Sequence, residues 1–172
     1  KGDYVKAGLE FKNAIQIDPK YAEGYYMLAM AALKKGELRQ AYGSLSKAVS
    51  LQPDHAKAQL ELGKIYLTAG APDKAAQQAE LLLGKDPGNG DALALKAAAL
   101  LVTGHVPESR AILEGLLRKG LTKPELYIML SNIHLMQKEN AKAHEMLRRA
   151  AAANPTSAEV YFALAKTALV SG

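Results

Sequence analysis

The stretch AIQIDPKYAEGYYMLAMAAL, residues 14–33, joins an apolar helix end, a proline and a fresh apolar helix start. VSLQPDHAKAQLELGKIYL, starting at Val49, and AANPTSAEVYFALAKTAL, starting at Ala152, repeat the same sequence of events. β-branched residues are scattered, and no segment alternates apolar and polar positions over the length of a strand, so the pattern predicts an all-helical chain. The restarts also keep a fixed step. Pro19, Pro53, Pro87 and Pro155 lie 34, 34 and 68 residues apart, and the missing member of the series falls at Leu121. Ala7, Ala41, Ala75 and Ala143 keep the same step with Ser109 in the gap, as do Gly2, Gly36, Gly70 and Gly104 with Lys138 next.

A period of 34 without insertion predicts helix pairs. Gly36 and Gly70 suit the left-handed residue that ends the first helix of a pair. Pro72 and Pro107 fall near the start of the second helix, where a missing N–H costs little. The residue before each proline of the 34-step series is biased away from helical geometry and stops the second helix. Ten helices follow: one leading, eight in pairs and one trailing, with the first at roughly Asp3–Ile17 and the last starting at Ala158.

The recurring residues resemble the tetratricopeptide repeat (TPR) pattern W-x2-L-G-x2-Y, A-x3-F, P across all 172 residues. Full repeats run 22–55, 56–89, 90–123 and 124–157; residues 1–21 form the second half of a repeat and 158–172 the first half of another. The first aromatic place holds Tyr25, Gln59, Leu93, Tyr127 and Tyr161, and the Leu place holds Leu28, Leu62, Lys96, Leu130 and Leu164. The small place holds Ala29, Gly63, Ala97, Ser131 and Ala165. The resemblance implies a single TPR α-solenoid, a right-handed superhelix of antiparallel helix pairs cut from a longer chain. The repeat at 90–123 departs furthest from the pattern, with Lys96 at a core Leu place, Ser109 at a crossing Ala place, and Gly115 and Gly120 loosening its second helix. Two readings stay open for it: a degenerate repeat whose Lys96 carries its amine to water, or a flexible joint between the two halves of the array.

Composition excludes several chemistries. The chain has no cysteine, which removes disulfides and thiolate nucleophiles or ligands. Its 22 basic and 17 acidic residues give +5, but the longest basic runs are pairs such as Lys34-Lys35 and Arg148-Arg149, unlike the concentrated basic face of a nucleic-acid binder. No apolar run approaches the roughly 20 residues that span a bilayer. No catalytic constellation or glycine-rich phosphate loop is present. Among His55, His105, His134 and His144, His134 stands at the pattern's Tyr place and reads as a packed histidine. With His144 alone it makes a weak metal site. No enzyme activity, cofactor, metal or nucleic-acid partner is expected.

In TPR proteins the first helices of successive repeats line a concave face that holds partner segments. Carried onto this chain, the resemblance implies a groove at Tyr26, Met30, Lys34, Leu60, Lys64, Ala94, Ala98, Ile128, Asn132 and Phe162, with Leu33, Leu67, Val170 and their repeat equivalents beside them. Asn, Lys and Arg are not clustered there as a clamp for a C-terminal carboxylate requires. The positions are largely apolar and suit an amphipathic protein or peptide segment. Glu23, Asp91, Glu125 and Glu159 each fall in a first helical turn, where the helix dipole favours a negative charge without any ligand.

The expected function is a non-catalytic protein-binding scaffold. The alternatives are a structural spacer or self-assembly module, or an accessory region of a larger enzyme or envelope protein. Phrases such as LEFKNAIQIDP and LELGKIYLTAG are similar to bacterial TPR lipoproteins of the exopolysaccharide-export and protein-sorting type, which would lean towards the envelope without fixing a compartment. The terminal helices are expected to leave Tyr4, Leu9 and Phe11 at one end, and some of Val160, Leu164, Ala168 and Leu169 at the other, uncovered. The chain is accordingly expected to continue beyond both ends and to associate through those helices.

Overall fold

The predicted helix stops have local causes visible in the backbone. The computed structural model describes residues 4–171, the side chains of Val170 and Ser171 excepted; the expectations placed on Gly2, Asp3, Val170 and Gly172 lie outside the described residues. Ten α-helices occupy them: α1 (Tyr4–Ile17), α2 (Ala22–Lys35), α3 (Leu38–Leu51), α4 (Ala56–Thr68), α5 (Pro72–Lys85), α6 (Gly90–Val102), α7 (Val106–Arg118), α8 (Pro124–Met136), α9 (Asn140–Ala153) and α10 (Ala158–Ser171). α3, α5 and α9 run into a proline, and the residues ahead of it, Gln52, Asp86 and Asn154, leave the helical region at φ −133°, −137° and −136°. That is the geometry a following proline imposes.

The first helix of each pair ends differently. Gly36, Gly70 and Gly104 take φ of 77°, 72° and 84°, and the residue after each donates its N–H back across the last turn: Glu37 to Ala32, Ala71 to Tyr66, His105 to Leu100. These bonds form a Schellman motif, which satisfies carbonyls that would otherwise be orphaned. Lys138 holds the same place without glycine, at φ 60°, and Glu139 donates to the His134 carbonyl. Where the proline series breaks at Leu121, the chain substitutes one terminator for the other. Gly120 adopts φ 84° and Leu121 donates to the Leu116 carbonyl. Gly120 therefore lies past the end of α7 and caps it rather than loosening it, while Gly115 sits inside an unbroken helix. Leu121 folds onto Gly90, where an added Cβ would collide with its δ-methyl.

The helices group into two compact units, the first ending at Pro87 and the second beginning at Gly88. In the first unit, α1 packs on α2, α2 on α3, α3 on α4 and α4 on α5. Its core is built from Ala29 and Ala32 of α2, Ala41, Leu45 and Ala48 of α3, and Ala58, Leu62 and Ile65 of α4. Alanine at the crossings lets the backbones approach, and each fully buried leucine contributes about 1.5–3 kcal/mol. In the second unit, α6 pairs with α7, α8 with α9, and α10 packs on both α9 and α8. Leu113, Leu116, Leu126, Leu130 and Ile133 form its centre. Ser109, at the crossing-alanine place, is completely buried, and its hydroxyl donates to the Ala97 carbonyl at 2.7 Å. Gln59, at an aromatic place, is buried with its Nε2 donating to the Pro53 carbonyl at 2.6 Å. Both departures from the repeat pattern thus bring a hydrogen bond of their own, although Gln59 Oε1 is buried with no partner among the described residues.

Candidate functional site: the first-helix faces

On α2, Tyr26, Met30 and Lys34 follow one another at intervals of four and so share a stripe. On α4, Leu60 and Lys64 do the same. Tyr26, Met30 and Leu60 are half-buried, whereas Lys34 and Lys64 are exposed. The two helices are tied together at one end by His55, the residue that caps α4. Its Nδ1 accepts the Ala58 N–H at 3.3 Å, which leaves the proton on Nε2, and Nε2 donates to Glu23 of α2 at 2.9 Å. The Tyr26 ring leans on the His55 ring with centroids 5.0 Å apart. Burial, and then the nearby carboxylates Glu61 and Glu23, push the Tyr26 hydroxyl above its ordinary pKa of 10.0, so it stays a neutral donor. Glu61 is itself held by Lys64 at 2.7 Å. The result is an apolar strip edged by charges of both signs.

In the second unit the corresponding positions are less uniform. Ala94 is buried in the core, while Ala98 beside it is half-buried. Ile128 is half-buried and packs against the cluster of Tyr127, Ala150 and Val160, and Asn132 is exposed. Phe162 of α10 is 75% exposed. The brace seen at Glu23 recurs here: Asp91, in the first turn of α6, pairs with Lys123, the residue that caps α8. In both units a first-turn carboxylate reaches the residue 32 positions on. Sequence reasoning assigned these acids to the helix dipole alone. The dipole argument still holds, but tying one first helix to the cap of the next through them depends on how the helices are offset, and no single-helix pattern carries that information.

A polar network, also absent from the sequence reading, lies where α7, α8 and the start of α9 meet. His134 Nδ1 donates to Glu139 Oε2 at 2.7 Å, and Lys142 donates to Glu139 Oε1 at the same distance. Arg110 donates to Gln137 Oε1 at 2.5 Å and approaches the Glu139 carboxylate to 4.0 Å. The Lys142 and His134 bonds hold the Glu139 carboxyl far below the usual carboxylate range, at about 2. Among the described residues, no group of three or more His, Cys, Asp or Glu side chains converges as a metal site would require.

Comparison with known proteins agrees with this architecture. Three family models described as tetratricopeptide repeat match residues 26–90, 67–133 and 124–167. A curated relative, the Protein CTR9 homolog of Arabidopsis thaliana, is 25% identical over 158 residues; the match covers 87% of this chain and spans only 14% of the relative's length. The crystal structure of a tetratricopeptide repeat protein from Parabacteroides merdae is similar with a TM-score of 0.88 at 19% identity, over 99% of this chain and 66% of that one. YrrB, described as a TPR protein with an unusual peptide-binding site, is similar with a TM-score of 0.67 at 16% identity, over 94% of this chain and 83% of the other.

Proposed function

This chain belongs to the tetratricopeptide repeat family, an all-α solenoid fold whose repeats generally mediate protein–protein interaction, and we propose that it serves as a non-catalytic scaffold that binds a partner segment along the first helices of its repeats. The observation that carries this reading is the stripe of half-buried Tyr26, Met30 and Leu60 edged by Lys34 and Lys64. Side chains that keep much of their apolar surface in reach of solvent gain most when a partner covers them. The partner is a protein or peptide segment, amphipathic, with contacts at Tyr26, Met30, Leu60 and Lys64 in the first unit and, taken by itself, at Ala98, Ile128, Asn132 and Phe162 in the second. Ala94, being buried, contributes shape rather than contact. YrrB lends the reading a precedent of fold only, since its identity is too low to transfer a site.

The test is to capture a partner on the immobilised chain and repeat the capture with Tyr26→Ala and Ile128→Ala. Both variants should weaken retention while keeping the wild-type helical spectrum. Affinity should fall only modestly between low and physiological salt; a steep fall would mark an ionic ligand and end the apolar-stripe reading. A narrower form of the proposal assigns the array to an envelope protein of the export or sorting type, and cytosolic fractionation of the native protein would end that form alone.

The exposed residues of α10 favour a second reading, self-association. Phe162 is 75% exposed and Leu169 86%, while at the other terminus Val5 is 69% and Leu9 56% exposed. Sedimentation velocity should then show concentration-dependent dimers that Phe162→Ser with Leu169→Ser dissolves. A strict monomer at high concentration would remove this reading.

A further inference from the structure

A hollow of about 400 Å³ opens between the first turn of α3, the last turn of α4 and the start of α5, away from the stripe described above. Leu38 and Ile65 add apolar lining, and Tyr42 and Tyr66 line it with their rings edge to face at 6.0 Å. Its lining contains two cations, Arg39 and Lys74, and no carboxylate. Lys74 stands over the Tyr66 ring at 5.6 Å, and the nearby acid Glu37 is taken by Lys35 at 2.6 Å. Burial, then the Tyr42 hydroxyl, push the Tyr66 hydroxyl above its ordinary range, so it remains a neutral donor.

The repeat period supplies an internal comparison. Two repeats on, 68 residues along, Tyr42 becomes Arg110, Tyr66 becomes His134, Ala69 becomes Gln137, Ala71 becomes Glu139, and Lys74 stays lysine as Lys142. These are the members of the network in the second unit, where the Glu139 carboxylate sits between Lys142 and His134. There the chain provides its own anion. In the first unit the same place keeps the lysine, exchanges the histidine for a tyrosine donor, and lacks the acid. We propose that this hollow is a docking site for an acidic peptide segment, in which a glutamate or aspartate side chain takes the place that Glu139 fills in the second unit, and a neighbouring aromatic side chain lies between Tyr42 and Leu38. Charge complementarity selects the occupant: two cations and a hydroxyl donor around an aromatic slot favour a carboxylate beside a ring. The volume falls within the range of pockets that enclose small ligands.

The probe is the blocked peptide acetyl-Gly-Phe-Glu-Gly-amide, titrated into the full chain and followed by amide chemical shifts. Saturable shifts should appear at residues 38–42 and 65–74, with a Kd of about 1 mM or tighter. Replacing the peptide's Glu by Gln should weaken binding about five- to tenfold. Ala71→Glu, which supplies the missing acid from within, should weaken it about tenfold; glutamate already occupies the equivalent places at Glu37 and Glu139, so the variant is expected to fold. Lys74→Gln should also weaken it while leaving the melting temperature unchanged. No saturation, equal binding of the Gln peptide, or undiminished binding to Ala71→Glu would each overturn the proposal. Shifts confined to Tyr26, Met30 and Leu60 would overturn it while supporting the first-helix stripe, so the two readings fail separately. A peptide with the acid only at its free C-terminus is expected to bind more weakly than the blocked one, and tighter binding would overturn the choice of a side-chain carboxylate.

Discussion

Two buried serines show how much a single hydroxyl depends on its surroundings. Ser109 donates to the Ala97 carbonyl, whereas Ser131, 1% exposed at the small place of α8, has no partner for its hydroxyl among the described residues. The same substitution should therefore have opposite signs: Ser109→Ala destabilises by about 1 kcal/mol, and Ser131→Ala stabilises by about 1 kcal/mol, since an unmatched buried hydroxyl costs roughly 1–3. Denaturant melts of the two variants decide it, and equal signs would refute the contrast. Glu139 gives a pH signature. Its carboxyl is lowered from 4.5 to about 2 in the folded chain, so its contribution is fully present above pH 4.5 and is lost as the pH falls towards 2. The melting-temperature difference between wild type and Glu139→Gln should be largest near pH 6 and shrink through that window. A difference that stays constant down to pH 2 would show that the network does not act through the charge.

Among the elements, the helix ends separate two kinds of stop. Gly120→Ala forces an L-residue to φ 84° and should cost about 1–2 kcal/mol. Lys138→Gly relieves the same geometry at φ 60° and should gain about 0.5–1 kcal/mol. Thermal melts would expose the error if both changes moved the same way. These ends were legible in the sequence because glycine and proline act locally: a left-handed residue or a missing N–H terminates a helix whatever lies around it. The gap at Leu121 was legible too, but the role of Gly120 was not, since a glycine beside a missing proline reads equally as a cap or as a weak point until the Leu116 carbonyl is seen to be satisfied. At the candidate site, the choice of Tyr26, Met30 and Leu60 came from the resemblance to the repeat family. The Glu23–His55 and Asp91–Lys123 braces did not follow from it, and neither did the hollow under Tyr42 and Tyr66. These depend on where one helix ends against another, and the rotation between neighbouring helices is set by packing rather than by any residue pattern within them. Ala94 shows the same limit, since its periodic position matches that of Leu60 while its neighbours bury it.

For the molecule as a whole, a repeat protein is held by contacts between neighbours, so a local injury should stay local. Leu28→Ala and Leu130→Ala each remove a buried side chain, 6% and 1% exposed, and should cost about 2–5 kcal/mol. Hydrogen exchange should then quicken mainly in α1–α4 for the first variant and in α7–α10 for the second. If either substitution quickened both units equally, stability would be a property of the whole chain instead.

The braces between helices have a kinetic consequence. Glu23 to His55, Asp91 to Lys123 and Asn154 to the Thr122 carbonyl each close a loop of 32 residues. The entropy of closing a loop grows only with the logarithm of its length, and chains dominated by such short-range closures fold on the microsecond to millisecond scale. Synthesis supplies about 5–20 residues per second, so a repeat can dock on its predecessor within the time needed to add a single residue. During translation the nascent chain would then expose one unfinished helix pair at a time, and the window in which its apolar faces could meet another chain is set by the ribosome rather than by the fold.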